Sequence, residues 1–450
     1  MPLFGLRTFR HGVHPPEAKD ETRSLPIRQF PFAPLLVVSL EQHLGAPALA
    51  AVRDGEEVRR GQVIGRPDGR MSVAVHAPAS GVVRRVALAP TIGGRMRPAV
   101  YLEPFPGSTQ EIAGGAPCGL DAPPAEILAA IQAAGIVGLG GAAFPPHVKL
   151  TVPPDRRVDA LIVNGVECEP YLTTDHRVML EQRDDVFVGL RYLFAVSGAR
   201  RAIIAVEANK RDAAEHLRAG LPADLAAGTT VEVLRVKYPQ GAEKMLVSAL
   251  LGREVPSGRL PLDVGALCTN VATTAEIGRL LPRGRGIVDR VVTVGGPAVR
   301  RKGNYRVPIG TPLRYLLDDV GLTGDVARVF LGGPMMGQAA SSLDIAVTKG
   351  VSGVIAFTAE RAARAVRHEF PCIRCASCVA ACPMGLDPAA LHLLARNEAF
   401  ERMAGEQHLA DCFECGACAF ACPAHIPLVA QFRVAKAALR KAAATAAGAA

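Results

Sequence analysis

Cysteine spacing raises the first chemical question. "CIRCASCVAACP" places Cys372, Cys375, Cys378 and Cys382 in one run, and "CFECGACAFACP" repeats the arrangement forty residues on with Cys412, Cys415, Cys418 and Cys422. Each run reads C-x2-C-x2-C-x3-C-P. Three thiolates two residues apart can wrap one face of a cubane [4Fe–4S] cluster, and the Cys-Pro step leads the chain toward a second one. In chains with two such runs the fourth cysteine of each binds the other cluster. The spacing therefore assigns Cys372, Cys375, Cys378 and Cys422 to one cluster, and Cys412, Cys415, Cys418 and Cys382 to the other. Zinc sites usually show two CxxC pairs with a longer gap, so the doubled run favours iron. A cluster pair relays single electrons, and their source must be sought elsewhere in the chain.

Two stretches upstream could bind a cofactor. In "GIVGLGGAAFPPHVKL", Gly138, Gly140 and Gly141 form G-x-G-G. This is not the G-x-G-x-x-G dinucleotide fingerprint, and it follows a helix rather than a strand. A plain turn would use the same glycines. Three glycines also let backbone N–H groups approach a planar or anionic ligand closely. Phe144 then offers a ring for stacking, and Lys149 a cation for a phosphate. "NGVECEPY" gathers Asn164, Glu167, Cys168 and Glu169. Acids at a strand's carboxyl end can accept hydrogen bonds from ribose hydroxyls or ring N–H groups, although a solvated acidic loop has the same composition. Cys168 alone reads as packing, and His147 and His176 as satisfied structural groups.

These stretches need elements to position them. From about 30 to 105, short alternating runs between Pro and Gly turns predict an all-β module. Its "HAPASGVV" resembles the barrel-sandwich fold of biotinyl and lipoyl carrier domains. Arg70 stands where a carrier would need its lysine, so the module reads as structural. From 121, strands "DALIVN", "RRAIIAVEA" and "VEVLRVK" alternate with helices such as "PPAEILAAIQAAG", which predicts a parallel sheet covered on both faces. Ligands in such sheets bind outside the carboxyl ends of the strands, so the loops after Asn164 and Lys237 should line one crevice. Residues 288–345 suit a β-grasp module. Between the cysteine runs, "LDPAALHLLARNEAFERMAGEQ" predicts two helices. The Ala-rich tail from 436 reads as a frayed helix or a disordered end.

Chain totals bound the remaining possibilities. A length of 450 residues implies about two to four domains. The expected divisions are 1–118, 119–286, 287–350, 360–435 and a tail, 436–450. No stretch reaches the roughly 18 uncharged apolar residues of a membrane span. The first residues lack the apolar core of a signal peptide, which places the chain in the cytoplasm. Eight of the eleven cysteines sit in the two runs, and in a reducing compartment such groups read as ligands rather than disulfides. The net charge is +9, but Lys and Arg are interspersed with acids and no basic block is interleaved with aromatics. That pattern argues against a nucleic-acid partner.

Taken together, "FRHGVHPPE", "GIVGLGGAAFPPHVKL", "IVNGVECEPYLTTDHRVM", "KYPQGAEK", "GGPMMG" and the paired cysteine runs resemble the RnfC family, the C subunits of Rnf (Rsx) electron-transport complexes. The resemblance covers nearly the whole chain apart from the tail. That family is similar in turn to the NADH- and flavin-binding subunit of respiratory complex I. The resemblance implies a multidomain α/β chain with an N-terminal barrel-sandwich domain, an α/β FMN/NAD(H) domain, a soluble-ligand-binding β-grasp (SLBB) domain and a helical ferredoxin-like module with two [4Fe–4S] clusters. It implies noncovalent FMN, NAD(H), other subunits of a membrane complex, and peripheral attachment at the cytoplasmic face of a bacterial inner membrane. Ferredoxin or flavodoxin would be an indirect partner. The complex would couple NAD and ferredoxin redox chemistry to ion transport.

Carried over by residue, the resemblance lays Gly138, Gly140 and Gly141 against the flavin and sets Lys149 at its phosphate or ribityl chain. Asn164 and Glu167 would hold the flavin. Phe144 would stack on the nicotinamide cofactor and Glu169 would bond it. Tyr238, Gly241 and Glu243 match a "YxxGxE" loop near the same site, and Asn270 and Thr273 match a phosphate-side segment. The chain departs from the complex I pattern at Leu139, where that protein has arginine, and at Val166, where it has an acid. Ala143 replaces a glycine and Ala242 an acid. These departures touch the NAD side more than the flavin side. Two other readings stay open. A cobalamin reductase of the propanediol-utilisation type shares the glycine loop, the ECEP loop and the clusters, but begins near the glycine loop. A non-enzymatic relay or scaffold would keep iron and lack flavin.

Overall fold

The computed structural model describes residues 5–448 except 361 and 363–367. The first four residues and the last two of the tail lie outside it. Four strands form the sheet that positions the candidate site: β1 (Ala160–Gly165), β2 (Ala202–Glu207), β3 (Thr229–Leu234) and β4 (Ala266–Asn270). All pair in parallel, in the order β3-β2-β1-β4. Every residue of β2 is buried, and β1 is buried along "ALIV". Such continuous apolar runs are what a parallel sheet with both faces covered requires. Helices Arg183–Ser197 and Val271–Leu280 cross closely over this unit. A Cβ at Gly278 would lie 2.0 Å from the Asp185 carbonyl, so only glycine fits this crossing.

"DALIVN", "RRAIIAVEA" and "VEVLRVK" form the first three strands as expected, and β4 is a strand that no expected run covers. The third strand is expected to reach Lys237, whereas β3 ends at Leu234 and Arg235 N bonds to the Arg7 carbonyl of the N-terminal segment (3.1 Å). The helix expected from Pro123 to Gly135 runs from Pro124 to Ala133, with proline in its first turn where no N–H is needed.

The N-terminal β module has a four-stranded sheet, in the order Leu36–Ser39, Met96–Pro104, Gly81–Pro90, Glu57–Val58, and a three-stranded sheet, Leu49–Ala50, Val63–Arg66, Val75–His76. Arg70 lies in the turn between the last two of these strands. The β-grasp unit is a six-stranded mixed sheet whose middle strands are Gly303–Pro308, Asp289–Gly295, Gly353–Thr358 and Val326–Leu331. Its edge strand, Ile27–Gln29, comes from the N-terminal region and pairs in parallel with Asn304–Arg306.

Buried charge joins these units. The Asp289 carboxylate receives Arg306 (2.9 Å) from its own sheet, Arg60 (3.3 Å) from the β module and Arg279 (3.4 Å) from the parallel-sheet unit. Burial alone would raise the pKa of Asp289, but these guanidinium groups hold it below the ordinary carboxylate value. Lys349 donates to the carbonyls of Ala74 (2.6 Å) and Gly135 (2.7 Å), linking the same three units. The C-terminal module is helical. Pro388–Arg396 and Phe400–Gly405 lie between the cysteine runs, and Leu428–Gly448 carries the tail as a continuous helix.

Candidate functional site: a flavin-sized cleft beside two cysteine quartets

Asn164 of β1 and Asn270 of β4 are register partners at the carboxyl ends of their strands. The chain order reverses direction between these two strands, the place where open α/β sheets bind ligands. A cleft of about 650 Å³ opens there. Gly138, Gly140, Phe144, Lys149, Asn164, Glu167, Glu169, Tyr238, Gly241, Glu243, Asn270 and Thr273 all line it. Gly141 alone among the expected residues lies outside, in an adjoining cavity of about 530 Å³ that reaches the β-grasp unit. The loop after β3 meets the loop after β1, as the crevice reading expects, and β4 adds a third side.

The glycine loop is held from within and from below. Gly138 N donates to the Phe144 carbonyl (2.9 Å), and Ala143 N to that of Gly138 (3.1 Å). Leu139 N donates to Thr273 Oγ1 (2.9 Å), and the buried Arg290 donates through Nη2 to the Leu139 carbonyl (2.7 Å). At Gly140 a Cβ would stand 3.4 Å from Asn270, so the loop lies close against the β4 end.

Several expected ligand-holding side chains have partners inside the protein. Asn164 donates to the Gly241 carbonyl (2.8 Å) and accepts from Val166 N (3.0 Å). Glu167 accepts from Thr174 Oγ1 (2.9 Å), Asp175 N (3.0 Å) and His176 N (3.4 Å). It caps helix Thr174–Glu181, where a carboxylate complements the positive end. Glu169 accepts from Met335 N (3.1 Å) and Met336 N (2.7 Å), pinning the "GGPMMG" loop to the cleft. Burial pushes its pKa up. Lys149 pairs with Glu243 across the cleft wall. Asn270 accepts from Thr273 N (3.1 Å), capping the helix after β4, and donates to Asp175 (2.7 Å). Tyr238 is buried and donates to the Cys415 carbonyl (2.6 Å).

Asp175, Arg290 and Lys19 escaped the sequence reading. Asp175 lines the cleft, and its Oδ1 is buried without a hydrogen-bond partner. Burial, then the nearby Glu167, pushes its pKa up to about 7. An acid directly after "TT" at the start of a helix was the available signal. Arg290 arrives from the β-grasp unit and carried none. Lys19 reaches in from the N-terminal segment and donates to the carbonyls of Glu167 (2.9 Å), Glu169 (2.8 Å) and Leu172. His147 bonds to the Arg70 carbonyl and His176 to Asp212, so both serve structure.

The eight clustered cysteines sort into two small cavities. Cys372, Cys375, Cys378 and Cys422 line one; Cys382, Cys412, Cys415 and Cys418 line the other. Among the described residues no group of three or more His, Cys, Asp or Glu side chains converges on a single-ion site. Cys375 is exposed, whereas burial pushes the Cys415 thiol up to about 12 and Cys418 up as well. Ligation needs thiolates, so bound iron must compensate that burial. Phe413 belongs to both the cleft and the Cys412 cavity. The Cys372 cavity shares no lining residue with the cleft.

Comparison with known families gives four matches along the chain. They are an RnfC barrel sandwich hybrid domain (residues 7–105), a Nuo51 FMN-binding domain (131–279), an SLBB domain (291–339) and a 4Fe-4S dicluster domain (364–423). Among curated relatives, the chain is 40% identical to the C subunit of the proton-translocating ferredoxin:NAD(+) oxidoreductase complex of Clostridium ljungdahlii, over 90% of this chain and 88% of that one. It is 38% identical to the C subunit of the Na(+)-translocating ferredoxin:NAD(+) oxidoreductase complex of Acetobacterium woodii, over 85% of this chain and 86% of that one. The C subunit of an ion-translocating oxidoreductase complex of Rhodobacter capsulatus is 37% identical, over 96% and 83%. No helix among the described residues is long and apolar enough to cross a membrane. By identity across nearly its whole length, and by an FMN-binding domain followed by a dicluster domain, the chain belongs to the RnfC family of ion-translocating ferredoxin:NAD(+) oxidoreductase complexes.

Proposed function

We propose that this chain passes electrons between NAD(H) and the rest of a membrane-bound, ion-translocating complex, through FMN and two [4Fe–4S] clusters. One observation carries the reading: Phe413 is a wall of the cleft and of the Cys412 quartet's cavity at once. Electrons leaving the cleft meet Cys382, Cys412, Cys415 and Cys418 first. The quartet of Cys372, Cys375, Cys378 and Cys422, whose Cys375 is exposed, would pass them on to an acceptor.

The residues present fit FMN. The cleft volume lies within the ordinary range of about 300–1,000 Å³ for cofactor sites. The glycine loop offers close backbone approach, Lys149 offers a cation, and Asp175 holds a buried carboxyl oxygen without a partner. FMN, when bound, supplies the conversion between a hydride's electron pair and single electrons. Gly138 and Gly140 would back the ring system, Gly141 falls outside the cleft, and Lys149 would neutralise the phosphate. Asn164, Gly241, Asn270 and Thr273 shape the floor. Phe144 and Glu169, both lining the cleft, would stack on and bond a nicotinamide cofactor. Tyr238, fixed to the Cys415 carbonyl, holds the cleft against the cluster module.

The partners would be the other subunits of the complex, with ferredoxin or flavodoxin reached indirectly. The position would be peripheral, on the cytoplasmic face of a bacterial inner membrane. The N-terminal barrel-sandwich match disfavours the cobalamin reductase reading, since that family starts near the glycine loop. An anaerobic visible spectrum before and after NADH, with iron and flavin assayed, tests the rest. Flavin peaks that bleach, over about eight irons per chain, support the proposal. Iron without flavin, unresponsive to NADH, leaves a relay or scaffold.

A further inference from the structure

The segment Phe9–Lys19 touches three parts of the electron route without lining the cleft. At one end Lys19 holds the "ECEP" loop through three backbone carbonyls. In the middle, Val13 N donates to the Tyr238 carbonyl (2.8 Å) and Tyr238 N to that of Val13 (2.9 Å). Beside that, Gly12 N donates to the Ala381 carbonyl (3.2 Å). His11 Nδ1 lies 3.0 Å from the Ala380 carbonyl, and a carbonyl can only accept, so this nitrogen carries the proton. Val13, Tyr238, Ala381, Cys415 and Ala417 pack into one small apolar cluster.

The consequence is geometric. Ala381 precedes Cys382, and Tyr238 bonds the peptide of Cys415. Two of the four thiols assigned to the nearer cluster are thus gripped by the segment and by the cleft residue it pairs with. Asp411 adds further polar ties between cluster module and cleft, with Ser257 (2.5 Å) and Lys244 (4.0 Å). Gly12 has φ +84°, and a Cβ there would stand 2.6 Å from the Tyr238 carbonyl and 2.7 Å from the Phe9 ring. Only glycine permits so close an approach.

We propose that Phe9–Lys19 is a positioning strap: the Gly12–Val13 backbone fixes the separation between the cleft and the Cys382/Cys412/Cys415/Cys418 quartet, and so sets the rate at which that cluster exchanges electrons with the flavin. The inference rests on the electron-relay reading above. With FMN and the clusters bound, the electron pair brought by NADH would leave the flavin as two successive single-electron transfers through this quartet to the onward acceptor, with the accompanying protons released to solvent through the open cleft. Tunnelling falls steeply with distance, so loosening the strap should slow only the flavin-to-cluster step.

The test uses the full cofactor-loaded chain and the variants Gly12→Val and His11→Ala, the second a milder loss of one hydrogen bond. Hydrogen exchange at the Val13 and Tyr238 amides reads strap release directly. Rapid mixing with NADH separates flavin bleaching from cluster reduction. The expected result is faster amide exchange, unchanged flavin and iron content, unchanged flavin bleaching, and loss of the fast cluster-reduction phase in Gly12→Val with a smaller slowing in His11→Ala. Released amides with an unchanged cluster phase would overturn the strap. So would iron loss in both variants, which would make the segment a folding element. If the parent chain itself shows no bleaching with NADH, the relay reading has failed instead.

Discussion

Lys149 gives the most quantitative check of the cleft. Its ammonium group pairs with Glu243, and both side chains are partly exposed, at 29% and 41%. An ion pair this open to water is worth about 0–1 kcal/mol. A charge-assisted hydrogen bond to a phosphate is worth about 1.5–3 kcal/mol. Redirecting Lys149 from Glu243 to the FMN phosphate should therefore contribute a net of about 1–2 kcal/mol. At 1.4 kcal/mol per factor of ten, Lys149→Ala should raise the FMN dissociation constant about 5- to 30-fold. Flavin fluorescence titration of deflavinated protein measures this, and riboflavin, which lacks the phosphate, is the control. Lys149→Ala should leave riboflavin binding nearly unchanged. Equal losses for FMN and riboflavin would refute the phosphate assignment, and so would no loss for either.

Three further predictions concern the scaffold. Asp289→Asn leaves Arg60, Arg279 and Arg306 without their shared carboxylate and should destabilise the chain by about 3–5 kcal/mol, read as a lowered denaturation midpoint. Because the folded-state pKa of Asp289 is depressed, its contribution is present above about pH 4 and lost as pH falls through the folded value. Asp175 has the opposite sign. Its folded-state pKa of about 7 exceeds the ordinary 3.8, so the folded state holds the extra proton between those values and stability falls as pH rises through that window. Asp175→Asn should remove that slope from thermal midpoints measured between pH 5 and 7, inside that window. Gly278→Ala places a methyl 2.0 Å from the Asp185 carbonyl and should cost about 1–3 kcal/mol by forcing two helices apart, seen in the thermal midpoint.

The cysteine runs were legible because ligand spacing is local: three thiols of each quartet lie within seven residues, and the other run, offset by forty residues, supplies the fourth. The parallel sheet was legible for the same reason, since "ALIV" and "AIIAV" announce buried strands within a few residues. β4 escaped because "ALCTN" is short and mixes polar with apolar residues, and its pairing with β1 comes from the far side of the domain. Ile27–Gln29 is partly exposed and has no strand pattern of its own, so only the finished sheet edge makes it a strand. The glycine loop and the acids were found, yet their internal partners were not. Glu167 capping a helix and Glu169 tethering the "GGPMMG" loop depend on which elements fold beside them. Arg290 illustrates the limit: no local pattern marks a strand arginine that reaches beneath a loop of another domain.

The relay order is tested most directly by freeze-quench electron paramagnetic resonance of Cys372→Ala and Cys412→Ala chains mixed anaerobically with NADH. Iron analysis should show about four irons in each. Both should bleach their flavin. A reduced cluster signal should appear at the rate of the parent chain in Cys372→Ala, which keeps the quartet beside Phe413, and be slow or absent in Cys412→Ala. Fast cluster reduction in Cys412→Ala, with none in Cys372→Ala, would contradict that order.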